Sequence, residues 1–254
     1  MLNWGFLFLG LQALWQQRRQ LSALNPPIED CLGGYLLILG GVAAYPLIFG
    51  KLSLQAFICA LVVIGIFWSR WGCDFLLKQK FPLLLILISI YPDLLFISNQ
   101  TWRVLTPHNL LENSMAWIGS IALRAIGQSD AAALGSVLKL PAGAVEVAPG
   151  CSGFDMAFVL AGSGLLLGLF LKETKLKIIG LILAGIALAL VLNIPRIVLL
   201  TFASVYWGKD SFEFWHGPIG GQIFASILLT IYYYLAMWLV KAEGGRGNKA
   251  QGVK

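Results

Sequence analysis

Long apolar blocks, separated by short polar stretches, set the pattern of this chain. Six blocks reach or approach the ~20 helical residues that cross a hydrocarbon core; they lie near 33–50, 52–69, 81–98, 153–171, 177–196 and 220–240. Only Lys51 marks the boundary between the first two. The opening LNWGFLFLGLQALW is shorter and is followed by QQRRQ. It fits an interfacial helix, an additional span or an uncleaved signal-like start. The pattern therefore predicts an all-α polytopic membrane protein with six transmembrane helices, or more if the opening stretch also crosses.

Between the third and fourth blocks, residues 99–150 break the apolar pattern. LLENSMAWIGSIALRAIG carries a helical apolar face interrupted by Glu112, Asn113 and Arg124, which predicts an amphipathic helix on the outer interface. SVLKLPAGAVEVAPG alternates apolar and polar residues around a PAG turn, which predicts a short β-hairpin leading into Cys151. Residues 1–240 read as one transmembrane domain, and the Gly-rich, charged 241–254 as a disordered cytoplasmic tail.

Composition agrees with the membrane class: 58% of residues are hydrophobic and 12% charged, against about 25% charged in soluble domains. The net charge of +6 comes from basic residues spread over loops and tails, which suits a membrane surface and not nucleic acid. Those residues also orient the spans. Arg18, Arg19, Arg70, Lys78, Lys80, Lys172, Lys175, Lys177, Lys241, Arg246, Lys249 and Lys254 fall on one side, twelve of the 18, and both chain ends share that side. The positive-inside rule makes it the cytoplasm.

This topology gathers three chemically capable residues. Cys151 precedes the fourth block, Arg196 ends the fifth and His216 precedes the sixth. About 20 helical residues at ~1.5 Å each span ~30 Å. Counting from the KETKLK turn then brings Cys151 and Arg196 to one extracytoplasmic layer, where His216 also enters. Cys31 and Cys73 fall on the reducing side and Cys59 within a span, so a disulfide to Cys151 is not expected. No Cys/His spacing points to a metal, and no cofactor is implied.

Each residue has a plain reading beside the functional one. Cys151 in PGCSG is either a small buried residue at a helix start or a thiol activated by the helix N-terminus. In the second case the Ser152 and Gly153 N–H groups would help hold an oxyanion, and Gly150 and Gly153 would allow close backbone approach. Arg196 either snorkels to headgroups or marks a functional site within an apolar run. Asn193 one turn earlier and Pro195 beside it favour a polar cavity. His216 competes with His108 as the imidazole, and either also fits an exposed loop. Glu146, Asp155, Asp210 and Glu213 are possible orienters of an imidazolium or plain surface carboxylates, and Asp155, one turn beyond Cys151, could line the site.

PGCSGFDMAF, NIPR and HGPIGG, in that order on successive boundaries, resemble the exosortase/archaeosortase family. The wording around the Cys is most similar to the cyanobacterial cyanoexosortase branch. The resemblance covers about 110–240, while the N-terminal half resembles the family only as a set of apolar spans. It implies a cysteine peptidase or transpeptidase of the bacterial inner membrane, and extends the expected range to six to eight transmembrane helices, since about eight are usual in that family. Its substrates would be proteins ending in a PEP-CTERM-type signal: a Pro-Glu-Pro motif, a transmembrane helix and a basic tail. By that resemblance Cys151 is the nucleophile, Arg196 the oxyanion or substrate stabiliser and His216 the general acid/base, with cleavage outside and transfer to an acceptor. The other class open to the sequence is a non-catalytic membrane component, such as a polysaccharide-export subunit or small transporter. There Arg196 would contact substrate or ion and Cys151 would be incidental. Partners beyond substrate and lipid, and the oligomeric state, are not legible.

Overall fold

The computed structural model describes residues 2–21, 25–48 and 50–251, with side chains through Lys241 apart from Gln20. The backbone is helical except for one small sheet. Contacts divide it into two units, Met1–Leu94 and Leu95–Lys254.

In the first unit, α1 (Leu2–Gln16) packs on α4 (Lys80–Ile90), and α2 (Ile28–Ala44) packs on α3 (Leu52–Trp71). The α2–α3 pair meets where Gly34 lies against Gly65 and Ser69, so the backbones approach closely. Asp30 at the start of α2 accepts from the Trp68 Nε1–H and the Cys73 N–H, both at 2.9 Å. Leu14, Leu21, Phe75, Leu83 and Ile86 form this unit's core.

The expected span at 81–98 is not one helix. It breaks after Ile90, and α5 (Leu94–Leu105) begins anew. The cause is local. Pro92 disfavours helical backbone in the residue before it, and Tyr91 is extended, with ψ 120°.

In the second unit, α6 (Leu110–Ala125) is the amphipathic helix foreseen from the sequence. It buries Met115, Ala116, Gly119, Ser120 and Leu123 and leaves Asn113 and Arg124 exposed. The hairpin is also present, as β2 (Val137–Leu140) and β3 (Gly143–Glu146), with Leu140 opposite Gly143 across the turn. A third strand, β1 (Ala132–Leu134), pairs antiparallel with β2, giving the order β1-β2-β3. The helices α7 (Phe154–Phe170), α8 (Lys175–Phe202), α9 (Lys209–His216) and α10 (Pro218–Gln251) follow.

The helix α8 runs further than the apolar block suggested. Arg196 does not end it: α-helix continues to Phe202 and a π turn carries it to Trp207. Pro195 removes one backbone donor without breaking the helix, because Ile197, Leu200 and Ala203 beyond it are buried. Ile197 and Leu200 join Leu138, Leu140, Val147 and Cys151 in one core, so the sheet and α6 form a cap around this end of α8. A second core, with Leu160, Leu181, Ala189 and Tyr232, joins α7, α8 and α10. There the Tyr232 hydroxyl donates to the Leu181 carbonyl at 3.0 Å.

Among the described residues, four helices are long and apolar enough to cross a membrane: Ile28–Ile48, Leu52–Trp71, Lys175–Trp207 and Pro218–Lys241. The broken pair α4 and α5 makes a fifth if counted as one span. Phe154–Phe170 is apolar but only 17 residues long, ~25 Å at ~1.5 Å per residue. The chain is an all-α polytopic integral membrane protein with a small sheet. The expected disordered tail, 241–254, has no described side chains beyond Lys241.

Candidate functional site

Cys151 ends a 3-10 turn, Pro149–Cys151, between β3 and α7. The turn closes on itself: the Cys151 N–H donates to the Ala148 carbonyl at 2.8 Å, and the Ser152 hydroxyl to the Pro149 carbonyl at 2.7 Å. Ser152 is 1% exposed, and its N–H also donates to Pro149, at 3.3 Å. The Ser152 N–H, the donor expected to face an oxyanion, is thus engaged within the turn. In this structure that donor stabilises the turn.

Gly153 then reverses the chain into α7 with φ +85°, a left-handed conformation that favours glycine. A Cβ there would meet the Asn193 side chain at 3.0–3.2 Å. That close approach has a purpose. Asn193, 3% exposed on α8, donates its amide to the Cys151 carbonyl at 2.8 Å. Glycine clears the space through which asparagine clamps the cysteine turn.

Stability should report this clamp. Asn193→Ala leaves the buried Cys151 carbonyl unsatisfied, costing ~1–3 kcal/mol. Gly153→Ala adds left-handed strain of ~1–2 kcal/mol to the crowding. Thermal unfolding in detergent should show both midpoints lowered, whereas Gly150→Ala, whose Cβ would meet nothing within 4 Å, should change little.

Cys151 and His216 line one cavity of about 110 Å³, together with Glu146, Val147, Thr201 and Phe212. His216 is the last residue of α9 and stacks on Phe212 one turn earlier, ring centroids 5.0 Å apart. Gly217 leaves the helix extended, as a residue before proline prefers, and Pro218 starts α10. His108 lies on an exposed turn before α6 and does not line this cavity. Of the carboxylates weighed as orienters, Glu146 shares the cavity, and Glu213 pairs with Lys209 at 3.4 Å on the surface.

Arg196 is not a lining residue of that cavity. It is 8% exposed and opens on a neighbouring cavity of about 130 Å³, with its guanidinium 5.8 Å from the Phe224 ring. Its Nε is buried without a hydrogen-bond partner among the described residues. The guanidinium is still close enough to act on the thiol. Burial pushes the Cys151 thiol above its ordinary range; the Arg196 charge pulls it down and the Asp155 carboxylate, in the first turn of α7, pushes it up. The net direction is upward. The expected thiolate character is thus outweighed by desolvation, and the resting thiol keeps its proton.

The charge effects can be checked chemically. Cys151 should be alkylated by iodoacetamide more slowly than a free thiol at neutral pH, its rate climbing to a plateau at a pH above the ordinary thiol range of ~8.5. Removing a charge should move that inflection, downward for Asp155→Asn and upward for Arg196→Leu.

All four cysteines, Cys31, Cys59, Cys73 and Cys151, are free thiols. Among the described residues no group of three or more His, Cys, Asp or Glu side chains could hold a metal ion. The site therefore presents a buried thiol, an imidazole in the same cavity and a guanidinium in the next.

No curated protein and no solved structure is significantly similar to the chain. A model of the transmembrane exosortase family matches residues 2–233, extending through the N-terminal spans as well as the thiol, guanidinium and imidazole. The chain belongs to the transmembrane exosortase family.

Proposed function

We propose that this protein is a membrane-embedded cysteine peptidase and transpeptidase that removes C-terminal PEP-CTERM-type sorting signals at the outer face of the bacterial inner membrane. The observation that carries the reading is the common cavity of Cys151 and His216. Family membership supports membrane-embedded protein processing in general.

The chemistry follows from the groups present. Because burial keeps the thiol protonated, a base must take its proton as the carbonyl arrives, and His216 is the base in reach. Sulfur attacks the scissile carbonyl, and Arg196 donates to the oxygen that gains charge. The tetrahedral intermediate then expels the amine. The C–N bond breaks, imidazolium returns the proton to nitrogen, and the amine leaves with the transmembrane tail. A thioester on Cys151 remains. Water or an acceptor amine attacks it, His216 takes the nucleophile's proton, and the thiol is regenerated. That Glu146 lines the same cavity supports it as the carboxylate that steadies the imidazolium.

The test is a reporter ending in Pro-Glu-Pro, an apolar helix and a basic tail, co-expressed with the protein. Its mature form should lose the helix and tail, and mass spectrometry of its new C-terminus reads a free carboxylate for hydrolysis or an added amine for transfer. A reporter that stays full length beside well-inserted protein counts against the reading.

A further inference from the structure

The cavity on which Arg196 opens has no part in the steps above except through the guanidinium. Met156, Leu192, Phe224 and Ile227 make its walls apolar, and Asn193 and Arg196 are its polar members. Three features point to an occupant. Arg196 is more than nine-tenths buried, and its Nε there has no acceptor among the described residues. Asn193 spends its amide on the Cys151 carbonyl, so one side chain connects this groove to the nucleophile's turn. The mouth is open, with Ile227 51% exposed and Pro195 exposed on the helices α10 and α8 that are apolar enough to span a membrane.

Size selects among apolar occupants. About 130 Å³ is roughly four water volumes at ~30 Å³ each. That is room for a single branched or aromatic side chain, not for a helix. Position selects further. The thiol–imidazole cavity is built by the cap, from β3, α9 and the end of α8, whereas this groove lies on α7, α8 and α10. A peptide running from the cap towards a membrane helix passes the thiol first and the groove next.

We propose that this groove is a specificity subsite for an apolar side chain on the tail side of the scissile bond, seated so that the neighbouring backbone carbonyl accepts from the Arg196 Nε–H. This rests on the acyl-transfer reading above, and it names the residue class that the substrate presents: leucine, isoleucine, methionine or phenylalanine at the first position after the cut.

The test has a binding arm and a kinetic arm. In the Cys151→Ala protein, reporters carrying photo-leucine at successive positions around the scissile bond are irradiated, and the crosslinked peptides are mapped. Adducts on the segments holding Leu192 and Ile227, from the first tail-side position only, are the expected result. Adducts there from every position, or from none, overturn the proposal. So does labelling of the same residues by a photoactivatable phospholipid that the reporter fails to displace. In the kinetic arm, replacing leucine by alanine at that position should lower kcat/KM roughly 10–200-fold. Ile227→Trp, which narrows the mouth, should bring the Leu:Ala ratio close to one. Equal loss on both reporters would mean that the groove does not read the residue. A reporter that wild-type protein cleaves with no preference overturns the subsite alone, whereas a reporter it never cleaves overturns the acyl-transfer reading beneath it.

Discussion

Cys151→Ala should stop processing of a tripartite-tail reporter altogether, a fall of at least about 10⁴-fold, while the protein still inserts and keeps its fold. The two halves of that expectation have separate grounds. Removing sulfur removes the cavity's thiol nucleophile, and the Thr201 hydroxyl that shares the cavity is spent on the Ile197 carbonyl at 2.8 Å. The fold should survive because the side chain is small and the turn is held by backbone groups: the Cys151 N–H on Ala148, and Asn193 on the Cys151 carbonyl. Alanine keeps all of these. Cys151→Ser should be nearly as inactive. A hydroxyl has a far higher pKa than a thiol, and the burial that already pushes the thiol up would push an alkoxide up further. Insertion and thermal midpoint are read alongside processing. If Cys151→Ala processed the reporter normally, the reading as a transporter or export subunit would take the place of the peptidase.

His216→Ala should lower kcat/KM about 10²–10⁴-fold, the usual contribution of a positioned general acid–base, and His108→Ala should leave it within a few-fold of wild type. The sequence sets these two imidazoles apart only by context and resemblance. The structure adds a physical difference. His216 lines the Cys151 cavity and is braced on Phe212, while His108 sits on an exposed turn outside it. The loss in His216→Ala should also change with the leaving group. A reporter with an ester in place of the scissile amide expels an alcohol that needs less proton assistance, so its penalty should be smaller. A merely structural role for His216 would penalise both reporters equally. Inactivation by His108→Ala with a silent His216→Ala would reassign the base.

Legibility from sequence followed the range of the interactions. The amphipathic helix at 110–125 and the hairpin at 137–146 are written in local periodicity and a PAG turn, and both appear. The strand Ala132–Leu134 escaped notice because three residues carry no readable alternation. A window average sees hydropathy and not backbone geometry, so 81–98 read as one span although Pro92 holds Tyr91 extended. The same averaging ended the fifth block at Arg196, whereas packing against the cap carries the helix onward to Trp207.

At the site, residue types were legible and directions were not. Counting along helices brought Cys151, Arg196 and His216 near one level, but which cavity each side chain enters depends on helix rotation. The sequence does not say that Arg196 faces Phe224 while Cys151 faces His216. Nor could it reveal that Asn193 holds the Cys151 carbonyl across 42 residues of chain, or that the Ser152 N–H is already engaged.

The central claim is that Cys151 carries the released protein as a thioester. The most direct measurement is to trap it. Membranes containing the protein and reporter are quenched in acid during turnover, and the covalent adduct is mapped by mass spectrometry with and without neutral hydroxylamine. The account predicts an adduct joining the reporter's new C-terminus to Cys151, cleaved by hydroxylamine and missing in Cys151→Ala. Reporter processing that proceeds in Cys151→Ala, or an acyl group found on a residue other than Cys151, would contradict it.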